Sequence, residues 1–185
     1  MRRTTVLLLV VALGIAPSEV RRLEARDGGA SAGVQLIEWK HLVPPGYDPS
    51  QLMRKYYDDV SKLKDDDPRA ERLAEALRQA WESAPVVAAL DNKTVKLSGF
   101  LVSLEGDGKA VSEFLLVPYF GACIHVPPPP SNQIVLVRTG RQPFKISQSF
   151  EQVAVTGRLR TERARNELAS ASYVIEATRV EPHKP

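Results

Sequence analysis

Before Thr94 the apolar residues recur every third or fourth position, and after it every second position, so the pattern predicts helices followed by strands. One helix is expected from about Pro49 to Leu63, and a second over 68–84, opened by Asp67 as N-cap with Pro68 at the first helical position. In the second, Ala70, Leu73, Ala74, Leu77, Trp81 and Ala84 share one face, a stripe that must pack on something. Pro85 ends it, and the apolar run Val86 to Leu90 leads to the turn composition Asp91-Asn92-Lys93. Ahead of the helices, Val34 to Trp39 reads as a short extended stretch, followed by the breaker Pro44-Pro45-Gly46.

Five strands are predicted beyond that point: Thr94 to Leu104, Val111 to Val117, Ile134 to Arg138, Gln152 to Arg160 and Ser172 to Val180. In the first, Val95 and Leu97 alternate, but Phe100 and Leu101 after Gly99 are both apolar. A bulge or sharp coil at the glycine would bend this strand so that it serves two sheets. The expected class is therefore mainly β (α+β): a small five-stranded OB-like barrel preceded by one or two helices, with an open β-sandwich as the alternative.

The N-terminus has a different pattern. Residues 1–17 read as a signal peptide, with Arg2 and Arg3 preceding the uncharged run Val6 to Leu13, which is too short to span a bilayer. Residues 18–33 are charged and then rich in Gly and Ala, the composition of a flexible tether, which leaves 34–185 as one β-rich domain. The 185 residues, 43% of them apolar, suit a single core of that size. No cysteine follows the apolar run, so membrane contact is expected only through the leader before cleavage, and the mature chain is expected in the periplasm.

Charge suggests nucleic acid only until it is located. The sequence pI is about 9.1. Of the 25 basic and 22 acidic residues, five and three lie in residues 1–33, leaving 20 and 19 in the domain. A nearly neutral domain argues against a phosphate-backbone partner. Arg158, Arg160, Arg163 and Arg165, interspersed with Glu162, read as a solvated hairpin, and Asp65-Asp66-Asp67 as a helix-start signal.

Candidate chemistry concentrates in Val117 to Val137. In an extended strand, residues i and i+2 emerge on one side about 6.5–7 Å apart, so Cys123 and His125 can present sulfur and imidazole nitrogen to one point. Such a pair suits zinc or copper, although structural zinc takes four protein ligands and catalytic zinc three. The same residues also fit a buried cysteine beside a hydrogen-bonded histidine, or a thiol whose pKa an adjacent imidazole lowers. As the sole cysteine, Cys123 has no intrachain disulfide partner.

The prolines Pro127, Pro128, Pro129 and Pro130 form a stiff polyproline strap, read either as a cover over one barrel end or as a partner's ligand. Asn132 and Gln133 can cap the polar groups that the strap leaves unpaired. Tyr119, Phe120 and Gly121 form the turn into the strand; exposed, the aromatic residues would be a partner contact patch, and burial in the core is the expectation.

This block, with Gly99 to Glu105 (Gly-Phe-Leu-Val-Ser-Leu-Glu), Leu36-Ile37-Glu38-Trp39 and Leu42-Val43-Pro44, resembles the proteobacterial envelope family known as domain of unknown function 3299 (DUF3299). The resemblance covers about Val34 to Val180. It implies an exported, often periplasmic domain, in some genomes encoded beside an ABC-type permease under zinc-responsive control. His41 departs from the family pattern, in which an acidic residue is usual nearby, and is not taken as a site. The expected function is a periplasmic binding or adaptor module, accessory to zinc handling or to an ABC-type envelope permease system. The alternative is a thiol-dependent enzyme or redox partner using Cys123 with His125 as its base.

Overall fold

The computed structural model describes residues 33–64, 67–104, 110–122, 129–147 and 151–183. A two-residue strand, β1 (Gln35–Leu36), and a 3-10 turn at Trp39–Leu42 lead to helices α1 (Pro49–Val60) and α2 (Pro68–Glu82). After a second 3-10 turn at Ala88–Leu90 come β2 (Thr94–Ser103), β3 (Ala110–Val111), β4 (Glu113–Val117), β5 (Val135–Arg138) and β6 (Phe144–Lys145). β7 (Gln152–Arg160), β8 (Ala164–Arg165), β9 (Ser170–Ala171) and β10 (Tyr173–Pro182) complete the order. The expected leader (1–17) and most of the tether (18–33) lie outside the described residues.

Five strands close a ring: β2 pairs with β4, β4 with β5, β5 with β10, β10 with β7, and β7 returns to β2. Only the β5–β10 pair is parallel. The fold is thus mainly β, a closed OB-like barrel preceded by two helices, and not an open sandwich. β1 lies parallel to the start of β2, with Gln35 opposite Val95.

Closure depends on β2. Thr94 to Phe100 lie against β7 and Phe100 to Ser103 against β4, so Phe100 stands opposite both Gln152 and Val117. The register passes through Gly99 unshifted, which corrects the expectation of a bulge there; a register shift occurs instead between Ala177 and Arg179, where β10 faces β7. Gly99 supplies room rather than a kink. A Cβ at this position would lie 2.7 Å from Trp39 Cζ2 and 2.7 Å from the Val117 carbonyl oxygen. The Trp39 ring can therefore lie against the strand, where its Nε1–H donates to the Ser98 carbonyl at 2.8 Å.

Two apolar layers follow from the alternation. Leu97, Phe114, Leu116, Val135, Val137 and Ile175 pack together in one cluster, and the intervening Leu115, Val117, Leu136 and Val174 pack with Ala122 and Ile134 in another. β4, β5 and β10 are thus buried on both faces where they meet, which explains their uninterrupted apolar runs. Each such Val or Leu contributes about 1.5–3 kcal/mol through burial.

Both helices start as their caps dictate. The Asp48 carboxylate accepts from the Ser50 amide at 2.8 Å and the Asp67 carboxylate from the Arg69 amide at 2.9 Å, each with proline next in the chain. α1 stops at Val60 and α2 at Glu82, where the Ser83 amide returns to the Gln79 carbonyl. Neither helix has a buried residue. Among the described residues no helix is long and apolar enough to cross a membrane.

Candidate functional site: a groove between the helical hairpin and the barrel

α1 and α2 pack chiefly on each other, and Met53, Tyr56, Leu77 and Trp81 are only half-buried where they face the barrel. Between hairpin and barrel lies a groove of about 450 Å3. Met53, Tyr56, Leu77 and Trp81 form its helical wall, and Pro129, Ile134, Leu168 and Ala169 face them from the barrel side. Leu168, in the turn between β8 and β9, is 39% exposed. Its position is set by Asn166, whose Oδ1 accepts from the amides of Leu168 and Ala169, each at 2.9 Å. The volume falls within the roughly 300–1,000 Å3 typical of small-molecule sites.

The charges at the mouth are largely matched. Arg78 donates to Glu82 at 2.7 Å and to Glu75 at 2.8 Å, and these carboxylates hold its guanidinium further above its already high range. Arg165 stands 3.7 Å from Glu82, and Arg163 donates to the Ser83 carbonyl at the end of α2 at 3.2 Å. Two members of the basic cluster are thus engaged with α2, and all four arginines are solvent-exposed. At the floor, the hydroxyls of Ser131 and Ser172 lie 2.7 Å apart, and the Ser172 amide donates to the Ser131 carbonyl at 2.8 Å.

Barrel residues fix the root of the hairpin. Tyr173, wholly buried at the start of β10, donates its hydroxyl to the Leu42 carbonyl at 2.8 Å and accepts from the Val87 amide at 2.7 Å. Burial pushes the Tyr173 phenol up, which keeps its donating proton in place. Asn132, fully buried, donates through Nδ2 to the Pro85 carbonyl at 2.9 Å, and Gln133 donates to the Trp39 carbonyl at 3.0 Å. These two amides hold the segments flanking the helices. The Pro130 carbonyl accepts from the backbone amide of Gln133 at 2.7 Å.

Among the other residues singled out by sequence, Pro129 and Pro130 are buried, and Gly121 is buried at φ +79°, where glycine is favoured. Tyr119 and Phe120 were expected in the core; they are 43% and 64% exposed. They sit at the tip of the turn after β4, where only Phe120 makes a described ring contact, edge to face with Phe100 at 6.1 Å between centroids. Cys123, His125, Pro127 and Pro128 lie outside the described residues. His41 Nδ1 accepts from the Glu38 amide at 2.9 Å and closes a capping box on the Trp39–Leu42 turn, a local role. Among the described residues no group of three His, Cys, Asp or Glu side chains could hold a metal ion.

Sequence reasoning missed the groove, although one signal was present: the α2 stripe had no predicted apolar partner of matching length.

The fold and the groove define a small OB-like barrel that carries a helical hairpin on buried polar anchors. The profile of the family described as protein of unknown function (DUF3299) matches residues 39–182, and the chain belongs to that family. A crystal structure of a DUF3299 family protein from Pseudomonas aeruginosa PAO1 is 38% identical, with a TM-score of 0.60, over 83% of this chain and 98% of that one. No curated protein matches.

Proposed function

We propose that the protein is an exported periplasmic binding module and that its ligand, a small molecule or short segment with a largely apolar body, occupies the groove. One observation carries this reading: two apolar walls face each other across about 450 Å3, and no residue of either helix is buried. Exposed apolar surface arranged as a concave, two-sided site is the usual form of a ligand pocket. Arg78, Glu82 and Arg165 pair with one another at the mouth, so the apolar walls supply the selectivity. Export rests on the leader pattern of residues 1–17. In this reading the module serves as an accessory to an ABC-type envelope permease system, the partner class that the family resemblance implies.

The test is fluorescence titration of the purified protein with 8-anilino-1-naphthalenesulfonate, a probe of accessible apolar sites. One saturable site is expected. Leu77→Asp and Leu168→Asp, placed on opposite walls, should each weaken it roughly tenfold or more, equivalent to about 1.4 kcal/mol. Circular dichroism should show both variants folded. Absence of saturable binding, or affinity unchanged in both variants, refutes the groove as the site.

A further inference from the structure

We infer that the helical hairpin Pro49–Glu82 is a lid that swings on a fixed root and closes the groove over its ligand, a deepening that rests on the groove being the binding site. The root and the body of the hairpin are held very differently. At the root, Tyr173 bonds to Leu42 before the hairpin and to Val87 after it, Asn132 bonds to Pro85, and Leu42 and Ala84 are fully buried. Beyond these anchors no residue of either helix is fully buried, and Met53, Tyr56, Leu77 and Trp81 are half-buried.

The connections suit a hinge. On the first side Pro45-Gly46 is exposed, and Gly46 sits at φ +83° with nothing within 4 Å of a Cβ placed there. On the second, exposed Ser83 ends α2 at φ −99° and ψ 17°, outside regular helix. A few terminal positions of this kind can absorb the dihedral change of a rigid-body swing while each helix keeps its internal hydrogen bonds. Two polar contacts between hairpin and barrel, Arg165 to Glu82 and Arg163 to Ser83, lie at the hinge end of α2, where a swing displaces them least, and they are exposed and cheap to remake.

Closure has a direction and a driving force. Leu77 and Trp81 face Leu168 and Ala169 across the groove, so movement toward the barrel removes apolar surface from water on both walls. A ligand bound between the walls favours the closed arrangement because it contacts both sides only there.

The experiment is a spin-label distance measurement on the full chain carrying Cys123→Ser. One label is placed at Lys62→Cys, just past α1 at the free end of the hairpin, and one at Arg158→Cys on β7; both positions are exposed. A broad or two-peaked distribution is expected without ligand, collapsing to the shorter distance when the naphthalenesulfonate probe saturates the groove. A control pair at Arg158→Cys and Lys145→Cys, both on the barrel, should keep one distance throughout.

A single narrow Lys62–Arg158 distance, unchanged by a probe that does bind, overturns the lid and leaves the binding site standing. If the probe does not bind, the site reading falls and the ligand-free distribution alone decides, two distances upholding the swing and one refuting it. Parallel movement of the control pair would mean general loosening and also overturns the lid.

Discussion

The hydroxyl of Tyr173 donates to the carbonyl of Leu42 at 2.8 Å, joining the last barrel strand to a residue 131 positions earlier. The same oxygen accepts from the Val87 amide, so one buried side chain pins both chain segments from which the helical hairpin springs.

Tyr173→Phe removes both bonds and leaves a buried carbonyl and a nearby amide without that partner. The expected cost is about 1–3 kcal/mol, because an unsatisfied buried group loses more than the net strength of its bond. Urea unfolding should show a lower midpoint with an unchanged slope. A midpoint equal to the parent's would show that the hydroxyl does not hold the root.

Gly99→Ala should destabilise the barrel by about 1–3 kcal/mol through overpacking, since the new methyl meets both the Trp39 ring and the Val117 backbone. The Trp39 ring can shift, but the Val117 carbonyl belongs to a paired strand and cannot withdraw without disturbing the β2–β4 ladder. Trp39→Phe in the Gly99→Ala background should therefore restore only part of the loss in a thermal melt. Complete restoration would assign the conflict to the ring alone.

Acid should loosen the hairpin before the barrel. Asp67 is held down to about 2 from 3.8, first by its bond from the Arg69 side chain and then by the Arg69 amide; Asp48 is likewise lowered by Ser50. Both carboxylates bind a proton less readily in the folded chain than in the unfolded one. Their contribution is complete above the ordinary carboxylate range and is lost as pH falls from about 4 toward 2. Helical dichroism should decline across that window in the parent and decline less in Asp67→Asn, which keeps a capping oxygen that does not titrate. Identical acid profiles would refute the assignment.

If Cys123 and His125 supply ligands to zinc, as their spacing in the sequence predicts, metal binding depends on the thiolate of Cys123. The proposed outcome is stoichiometric zinc in the purified protein, lost in Cys123→Ala, with a lower melting temperature after dialysis against a chelator, because a metal bound to the folded chain stabilises it. Equal metal content in parent and variant removes the cysteine from any zinc site.

Much of the architecture was legible because its signals are local. Gln152 to Arg160 was bounded as the structure has it, and Asp67-Pro68 marked the start of α2 through chemistry confined to three residues. That β2 serves two neighbours was legible from the loss of alternation after Gly99, but the reason for the glycine was not. The Trp39 ring that occupies the glycine's missing side chain lies sixty positions upstream, beyond any periodicity window. Tyr119 and Phe120 misled because hydrophobicity predicts burial only on average, and both stand exposed at the turn after β4. The groove was illegible for a similar reason. The α2 stripe showed that an apolar face exists, and only the placement of Ile134 and Leu168 showed that the face opposite leaves a gap.

By itself, then, the sequence determined the five barrel strands and the two helices, where the helices begin, and that one long strand must serve two neighbours. The two-residue strands β6, β8 and β9 went unpredicted. Alternation, caps and breakers act within a few residues and survive without tertiary context. Tertiary structure alone decided that β5 and β10 run parallel to seal the ring, that Tyr173 clamps Leu42 and Val87, and that the hairpin stands off the barrel. These relations join residues tens of positions apart, and ring closure fixes them by choosing which apolar faces meet and which remain open to a ligand.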